Sequence, residues 1–281
     1  MPTDAMRQLL LPSGETIPAL GLGTWGWAED PSRRSDEIAA VHAGLDIGLN
    51  LIDTAEMYGD GAAESLLGEA LGHRRDEAFL VSKVLPQHAS RENTVAACER
   101  TLRRLGTDRV DLYLLHWRGS QPLADTLEAF DELTAAGKIR YWGVSNFDRD
   151  DIVELHEQGG TGTAVNQVLY NLTRRGIEYD LLPFCTEHRL PVMAYSPIEQ
   201  GRLLDNPVLD DLAAAHGASP AVVALAWVLR REGICAIPRA STPARVADNR
   251  TALDLRLTDD DLAALDAAFP APAGPTPLEI L

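Results

Sequence analysis

Four side chains of this 281-residue sequence, Asp53, Tyr58, Lys83 and His116, have the types needed for proton transfer without a covalent nucleophile. A free tyrosine, with a pKa of about 10, is poorly matched to giving up a proton near neutrality. A nearby ammonium stabilises the phenolate and lowers that pKa, and an aspartate beside the ammonium fixes it as a compact charge. Arginine's broad planar fork does not fit the same slot. Only two of the 25 basic residues are lysines, Lys83 and Lys138, so a lysine here marks a place where arginine does not serve. Lys83 follows Val-Ser at the end of an apolar run, whereas Lys138, in Ala-Gly-Lys-Ile, reads as the end of a helix. Each residue alone has a plainer reading. Asp53 could cap a helix, His116 could sit satisfied in a core, Lys83 could end a strand in solvent, and Tyr58 could be ordinary core. The case rests on their convergence, which only the surrounding elements can provide.

Strand-like runs near residues 19–23, 49–53, 79–83, 110–116, 139–145, 164–167, 192–195 and 234–238 alternate with amphipathic helical stretches such as 35–48, 91–105, 125–136 and 220–231. A short hairpin precedes them, pairing 8–11 with 15–17 across Pro12-Ser13-Gly14. Alternation of this kind predicts an α/β fold with a parallel sheet and right-handed crossovers. Eight units in this length predict a closed (β/α)8 TIM barrel forming one domain over 1–281, with a doubly wound open sheet as the runner-up. The tail from Pro270 carries four prolines and is expected to run over the barrel surface. Polar residues fall where the strands end: Asp53, Lys83, His116, Ser145, Asn146, Asn166, Gln167, Tyr195, Ser196 and Arg239. In a barrel all of these ends share one face, where active sites are built.

Other readings are weaker. Gly21-Leu-Gly23-Thr-Trp-Gly26 matches a dinucleotide-binding fingerprint, but the following Trp27-Ala-Glu-Asp-Pro31 delays any helix and Trp25 fills the space for pyrophosphate. The segment reads instead as a glycine-rich first loop with Trp25 and Trp27 facing a pocket. The formal charge of −17 argues against nucleic acid. The distant Cys98, Cys185 and Cys235 give neither a disulfide framework nor metal spacing, so no metal is expected. No signal peptide is evident and the longest apolar stretch, 221–229, is too short to cross a membrane, which predicts a cytoplasmic protein.

The motifs in order resemble the aldo-keto reductase family over nearly the whole chain. Leu-Ile-Asp53-Thr-Ala-Glu-Met-Tyr58-Gly, Val-Ser-Lys83, Leu-Leu-His116-Trp and Gly-Val-Ser145-Asn146-Phe are followed by Asn166-Gln167, Ala-Tyr195-Ser-Pro and Ile-Pro238-Arg239 with Asp248-Asn249 downstream. The resemblance implies NADPH-dependent reduction of carbonyls. Tyr58 would be the general acid, Lys83 paired with Asp53 would lower its pKa, and His116 would orient the carbonyl. Ser145, Asn146 and Gln167 would bind the nicotinamide carboxamide and Tyr195 would stack on the ring. Thr24, Trp25, Asp53, Ser196, Pro197, Ile198, Gln200 and Gly201 would complete that end of the cofactor site. Arg239 and Arg245 would clamp the 2′-phosphate with help from the Ser241 and Thr242 hydroxyls, flanked by Ile237, Pro238 and Ala240, and Asp248 and Asn249 would hold the adenine. Many relatives have Lys-Ser where this chain has Arg239-Ala240, so a phosphate-facing hydroxyl is missing and NADH is expected as a weaker substitute. Trp25, Trp27, Met57, His116 and Trp117 would line the substrate pocket. The short tail implies an open pocket for small carbonyl compounds, and several segments resemble a bacterial branch that includes methylglyoxal reductases. A monomer is implied. The competing reading is a non-catalytic nucleotide sensor on the same barrel; a metal-dependent hydrolase lacks its ligand spacings. Residues 227–256 carry a net charge of +3 within this acidic chain, and this basic island coincides with the stretch expected to grip the adenosine phosphate.

Overall fold

Apolar residues two apart along each short strand give both the barrel and the position of its site. The computed structural model describes residues 7–281. An antiparallel hairpin, β1 (Gln8–Leu10) and β2 (Thr16–Pro18), is followed by β3 (Leu22–Gly23), α1 (Arg34–Asp46), β4 (Leu51–Asp53), α2 (Ala62–Leu71) and β5 (Phe79–Val84). Then come α3 (Arg91–Leu105), β6 (Val110–Leu115), α4 (Leu123–Ala135), β7 (Ile139–Ser145), α5 (Arg149–Glu157), β8 (Asn166–Leu169), α6 (Leu181–Glu187) and β9 (Val192–Tyr195). The chain ends with α7 (Pro207–His216), α8 (Pro220–Leu229), β10 (Ile234–Ala236), α9 (Pro243–Arg250) and α10 (Asp259–Ala268).

Strands β3 to β10 pair in parallel in chain order. Bridges Leu20↔Ala236 and Gly23↔Arg239 join the first to the last and close the (β/α)8 barrel. The seam is narrow, because a Cβ at Gly23 would lie 2.7 Å from the Ile237 carbonyl oxygen. This is the work of the glycine-rich segment, and no helix begins after it until residue 31. The first strand is shorter than the sequence run, since residues 19–21 enter the seam by single hydrogen bonds rather than a continuous ladder. The sixth barrel strand starts and ends two residues later than expected, at Asn166–Leu169.

The barrel interior holds Leu51, Phe79, Val81, Leu112, Leu114, Val165, Met193 and Cys235, with Leu9, Leu11 and Ile17 of the hairpin region in the same cluster. Successive inward positions on a strand are two residues apart. One step beyond Leu51, Val81, Leu114, Val165 and Met193 are therefore Asp53, Lys83, His116, Gln167 and Tyr195. The top interior layer is polar by continuation of the same pattern that makes the lower layers apolar.

Outside, helix starts are set by side-chain caps such as Asp148 on α5, Asn206-Pro207 on α7, Ser219-Pro220 on α8 and Thr242-Pro243 on α9. Helix α8 differs from its amphipathic reading: every residue from Val222 to Leu229 is buried, because α7, α9 and the turn at Thr251–Leu253 pack around it and β10 lies against it. No single helix among the described residues is long and apolar enough to cross a membrane.

Candidate active site

At the C-terminal end of the barrel, Lys83 Nζ is enclosed completely and donates to three oxygens: Asp53 Oδ2 at 2.8 Å, the Thr54 carbonyl at 2.8 Å and Tyr58 Oη at 3.1 Å. Three acceptors around one nitrogen require three N–H groups, so the arrangement is that of an ammonium. Asp53 Oδ1 accepts from Gln167 Nε2 at 2.8 Å, and the Asp53 carbonyl takes both the backbone N–H and the hydroxyl of Thr24. Burial pushes the Asp53 carboxyl up and the Lys83 ammonium down, and each is pulled back by the other's charge. Both carboxylate oxygens are engaged, one by Lys83 and one by Gln167, which fixes the carboxylate beside the ammonium.

Because Tyr58 Oη accepts from Lys83, its own proton is free to point away from the lysine. One expectation needs correction here. Burial first, and then the Asp53 charge, hold the Tyr58 phenol well above its usual pKa of 10.0. Lys83 donates to this oxygen, but burial outweighs it, and the group stands as a neutral acid near neutrality. Tyr58 lies in the 3-10 segment Tyr58–Gly61 just beyond β4, where Gly59 and Asp60 both adopt left-handed backbone conformations. Strain of this kind at non-glycine positions gathers at functional loops.

His116 directly follows β6, its ring centroid 6.0 Å from that of Tyr58 in an edge-on arrangement. Burial and the nearby Lys83 push its pKa down to about 2, so the imidazole is neutral. Its Nδ1 is buried without a protein partner. Trp25, 48 % exposed, meets Tyr58 edge-on at 5.2 Å, and Trp117 lies 4.9 Å from His116. Met57 is half-buried beside them. Trp27 and Thr24 are corrections: both are wholly enclosed, Trp27 within the core, and neither presents surface to a ligand. The alternation of the loop turns Trp25 outward and Trp27 inward.

The remaining strand ends form a connected polar rim. Ser145 Oγ donates to the Gln167 carbonyl at 2.9 Å, Asn146 Nδ2 donates to the His116 carbonyl at 3.1 Å, and Tyr195 Oη donates to Asn146 Oδ1 at 2.9 Å. Asn146, Ser196, Glu199 and Gln200 all have positive φ, which leads the chain round the rim next to Pro197, Ile198 and Gly201. Asn166 is not part of the rim, because its side chain turns away to donate to the Phe147 carbonyl. Farther out, Arg239 Nη2 donates to the Gly26 carbonyl at 3.2 Å, and Ile237, Pro238 and Ala240 are buried behind it. The Ser241 and Thr242 hydroxyls are engaged, the first by Arg33 and the second by the Arg245 N–H as the cap of α9. Asp248 accepts from Ser219, and Asn249 is buried on α9.

Sequence reasoning missed several parts. The Thr54 carbonyl carries no side-chain signal. Glu56, buried, binds the Leu85 N–H and His88 Nδ1, each at 2.9 Å, and so ties the loop bearing Tyr58 to the loop after β5. Asn171, Arg174 and Arg202 converge on Glu199 and anchor the 196–205 segment. A cleft of about 1380 Å³ opens at the opposite end of the barrel, between the hairpin, α6 and the start of β10. It contains none of the chemistry above, and in barrel folds that end serves stability.

The aldo/keto reductase profile matches residues 19–269. The chain belongs to the aldo/keto reductase family. Methylglyoxal reductase YeaE of Escherichia coli is 52 % identical over 272 residues, 95 % of this chain and 96 % of that protein. Glyoxal reductase of Bacillus subtilis is 34 % identical over the full length of both. Among solved structures, an aldo/keto reductase from Klebsiella pneumoniae in complex with NADP and acetate superposes with a TM-score of 0.95 at 47 % identity, covering 99 % of this chain and 100 % of that one.

Proposed function

We propose that this aldo/keto reductase reduces the carbonyl of small aldehydes and ketoaldehydes, methylglyoxal among them, with NADPH and with Tyr58 as the general acid. The observation that carries the proposal is the 3.1 Å contact of the Lys83 ammonium with a phenol whose own proton is free.

The donor set fits the cofactor on its own chemistry. Arg239 and Arg245 are in no ion pair among the described residues, and arginine suits phosphate. Ser145, Asn146 and Gln167 gather amide and hydroxyl groups beside Tyr58, as a carboxamide requires, and the ring of Tyr195 offers an apolar face. NADPH, when bound, supplies a hydride to the carbonyl carbon. The chain must then give a proton to the oxygen, where negative charge develops.

A neutral phenol does this without an acid limb near neutrality, and the phenolate left behind faces Lys83. Neutral His116 offers one ring donor to the carbonyl oxygen and fixes its direction. Trp25, Met57 and Trp117 supply the apolar walls that exclude water around the acceptor carbon. The acidic surface and enclosed thiols fit a monomeric enzyme of the cytoplasm acting on a small molecule. The names of the E. coli and B. subtilis relatives support methylglyoxal and glyoxal as the substrates to try first.

The test is turnover across a panel of small aldehydes, ketoaldehydes and sugars, with NADPH and NADH compared. Methylglyoxal reduction with NADPH preferred supports the proposal. Binding of NADPH with no turnover of any carbonyl would favour the sensor reading instead.

A further inference from the structure

The segment before α1 brings a third guanidinium to the basic island. Asp30 opens a 3-10 turn, Pro31–Arg33, by accepting from the Ser32 N–H at 2.9 Å and the Ser32 hydroxyl at 2.7 Å. The turn aims Arg33 across the barrel seam, where its Nη2 donates to Ser241 Oγ. Its neighbour Arg34 points elsewhere and pairs with Glu69.

Arg33, Arg239 and Arg245 share two properties. None of them is in an ion pair among the described residues, although the chain has 42 acidic side chains against 25 basic ones. They also feel one another: after burial, the charge of Arg33 is what most loosens Arg239's hold on its proton, Glu37 and Glu29 oppose it, and Arg245 adds a smaller push. Glu37 is buried, its Oε2 accepts from the Ala28 N–H at 3.1 Å, and it makes no ion pair with the three arginines. Uncompensated like charges held together cost free energy unless an anion joins them.

We propose that Arg33, positioned by Ser241, is a third cationic contact for the adenosine 2′-phosphate and sets the preference for NADPH over NADH. The proposal rests on the NADPH reading above and deepens it. It also revises an expectation: Ala240 removes a hydroxyl from the β10–α9 loop, but a charged donor arrives from a different loop, so discrimination against NADH is retained.

The competing explanation is that Arg33 is only a strut between the two loops, and binding measurements separate the cases. Dissociation constants for NADPH, NADH and 2′,5′-ADP are measured by tryptophan quenching or calorimetry on the wild-type chain, Arg33→Gln and Arg33→Lys. Glutamine removes the charge and shortens the side chain, and lysine restores the charge, so the pair separates the charge from the strut. The expected result is about tenfold weaker binding of NADPH and 2′,5′-ADP by Arg33→Gln, NADH changed by less than about twofold, and partial recovery in Arg33→Lys. Equal weakening of NADPH and NADH, or no weakening of either, would overturn the assignment while leaving the cofactor reading intact. Failure of the wild-type chain to bind NADPH would overturn both.

Discussion

Lys83 shows how narrowly a single residue is determined. Its three donors are all used in a fully enclosed space, so Lys83→Arg must place a larger, planar group against the Thr54 carbonyl and leave donors unpaired. We expect a destabilisation of about 3 kcal/mol in chemical denaturation and a kcat lowered at least a hundredfold. The two titratable groups proposed to face substrate give a pH prediction. The Tyr58 phenol is raised and stays protonated through neutrality, and His116, at about 2, stays neutral. The kcat for reduction is therefore flat from about pH 6 to 9, and an inflection near 6.5, the usual histidine value, would contradict this. Stability behaves differently. Below about pH 6.5 the unfolded chain protonates this histidine while the folded chain does not, so His116 costs ~1.4 kcal/mol of stability for each pH unit of further acidification. Denaturation of His116→Gln should lack that part of the acid slope. Residue types and order made the four positions proposed as catalytic legible in the sequence, and the fold brings them together. The direction of the Tyr58 shift was not legible, because it depends on how far burial outweighs a lysine already neutralised by Asp53.

At the scale of elements, all eight barrel strands were readable because their apolar runs are short and bounded, and the step of two explains why five of them lead to a polar inward residue. Boundaries were less readable where pairing is partial. Residues 19–21 look like strand but join the seam by isolated hydrogen bonds, and the start of β8 is set by its register with β7 and β9, not by its own residues. Trp27 shows the same limit, since a loop's alternation is not visible before its path is known. Arg33 was hidden for a related reason: nothing local distinguishes it from Arg34, and its partner is 208 residues away. The seam itself gives a test. Gly23→Ala would put a Cβ 2.7 Å from the Ile237 oxygen, so we expect a loss of about 1–3 kcal/mol and a weakened grip on cofactor through displacement of the Arg239 segment. A Gly23→Ala variant that melts and binds NADPH like wild type would show that the seam tolerates widening.

Over the whole molecule, the charge of −17 and the local +3 of residues 227–256 act at different ranges. General repulsion of an anionic cofactor extends over a Debye length of roughly 10 Å at 0.1 M salt, whereas the arginine contacts act within hydrogen-bond reach. Raising ionic strength should therefore leave the NADPH association rate unchanged or higher while dissociation accelerates; stopped-flow traces with a falling association rate would contradict this division. The three thiols are buried, and burial raises Cys98 and Cys185 to about 12 and Cys235 higher still. Alkylating reagents should leave the native enzyme active and modify it only on unfolding. What unites the scales is the proposed delivery of one proton from one phenol at the top of the barrel. The most direct measurement of that claim is Tyr58→Phe, assayed for methylglyoxal turnover and, on the same sample, for NADPH affinity. The account predicts a kcat lower by two to four orders of magnitude, on the order of what a positioned acid supplies, with NADPH affinity within about twofold of wild type. Turnover at the wild-type rate in that variant would contradict it.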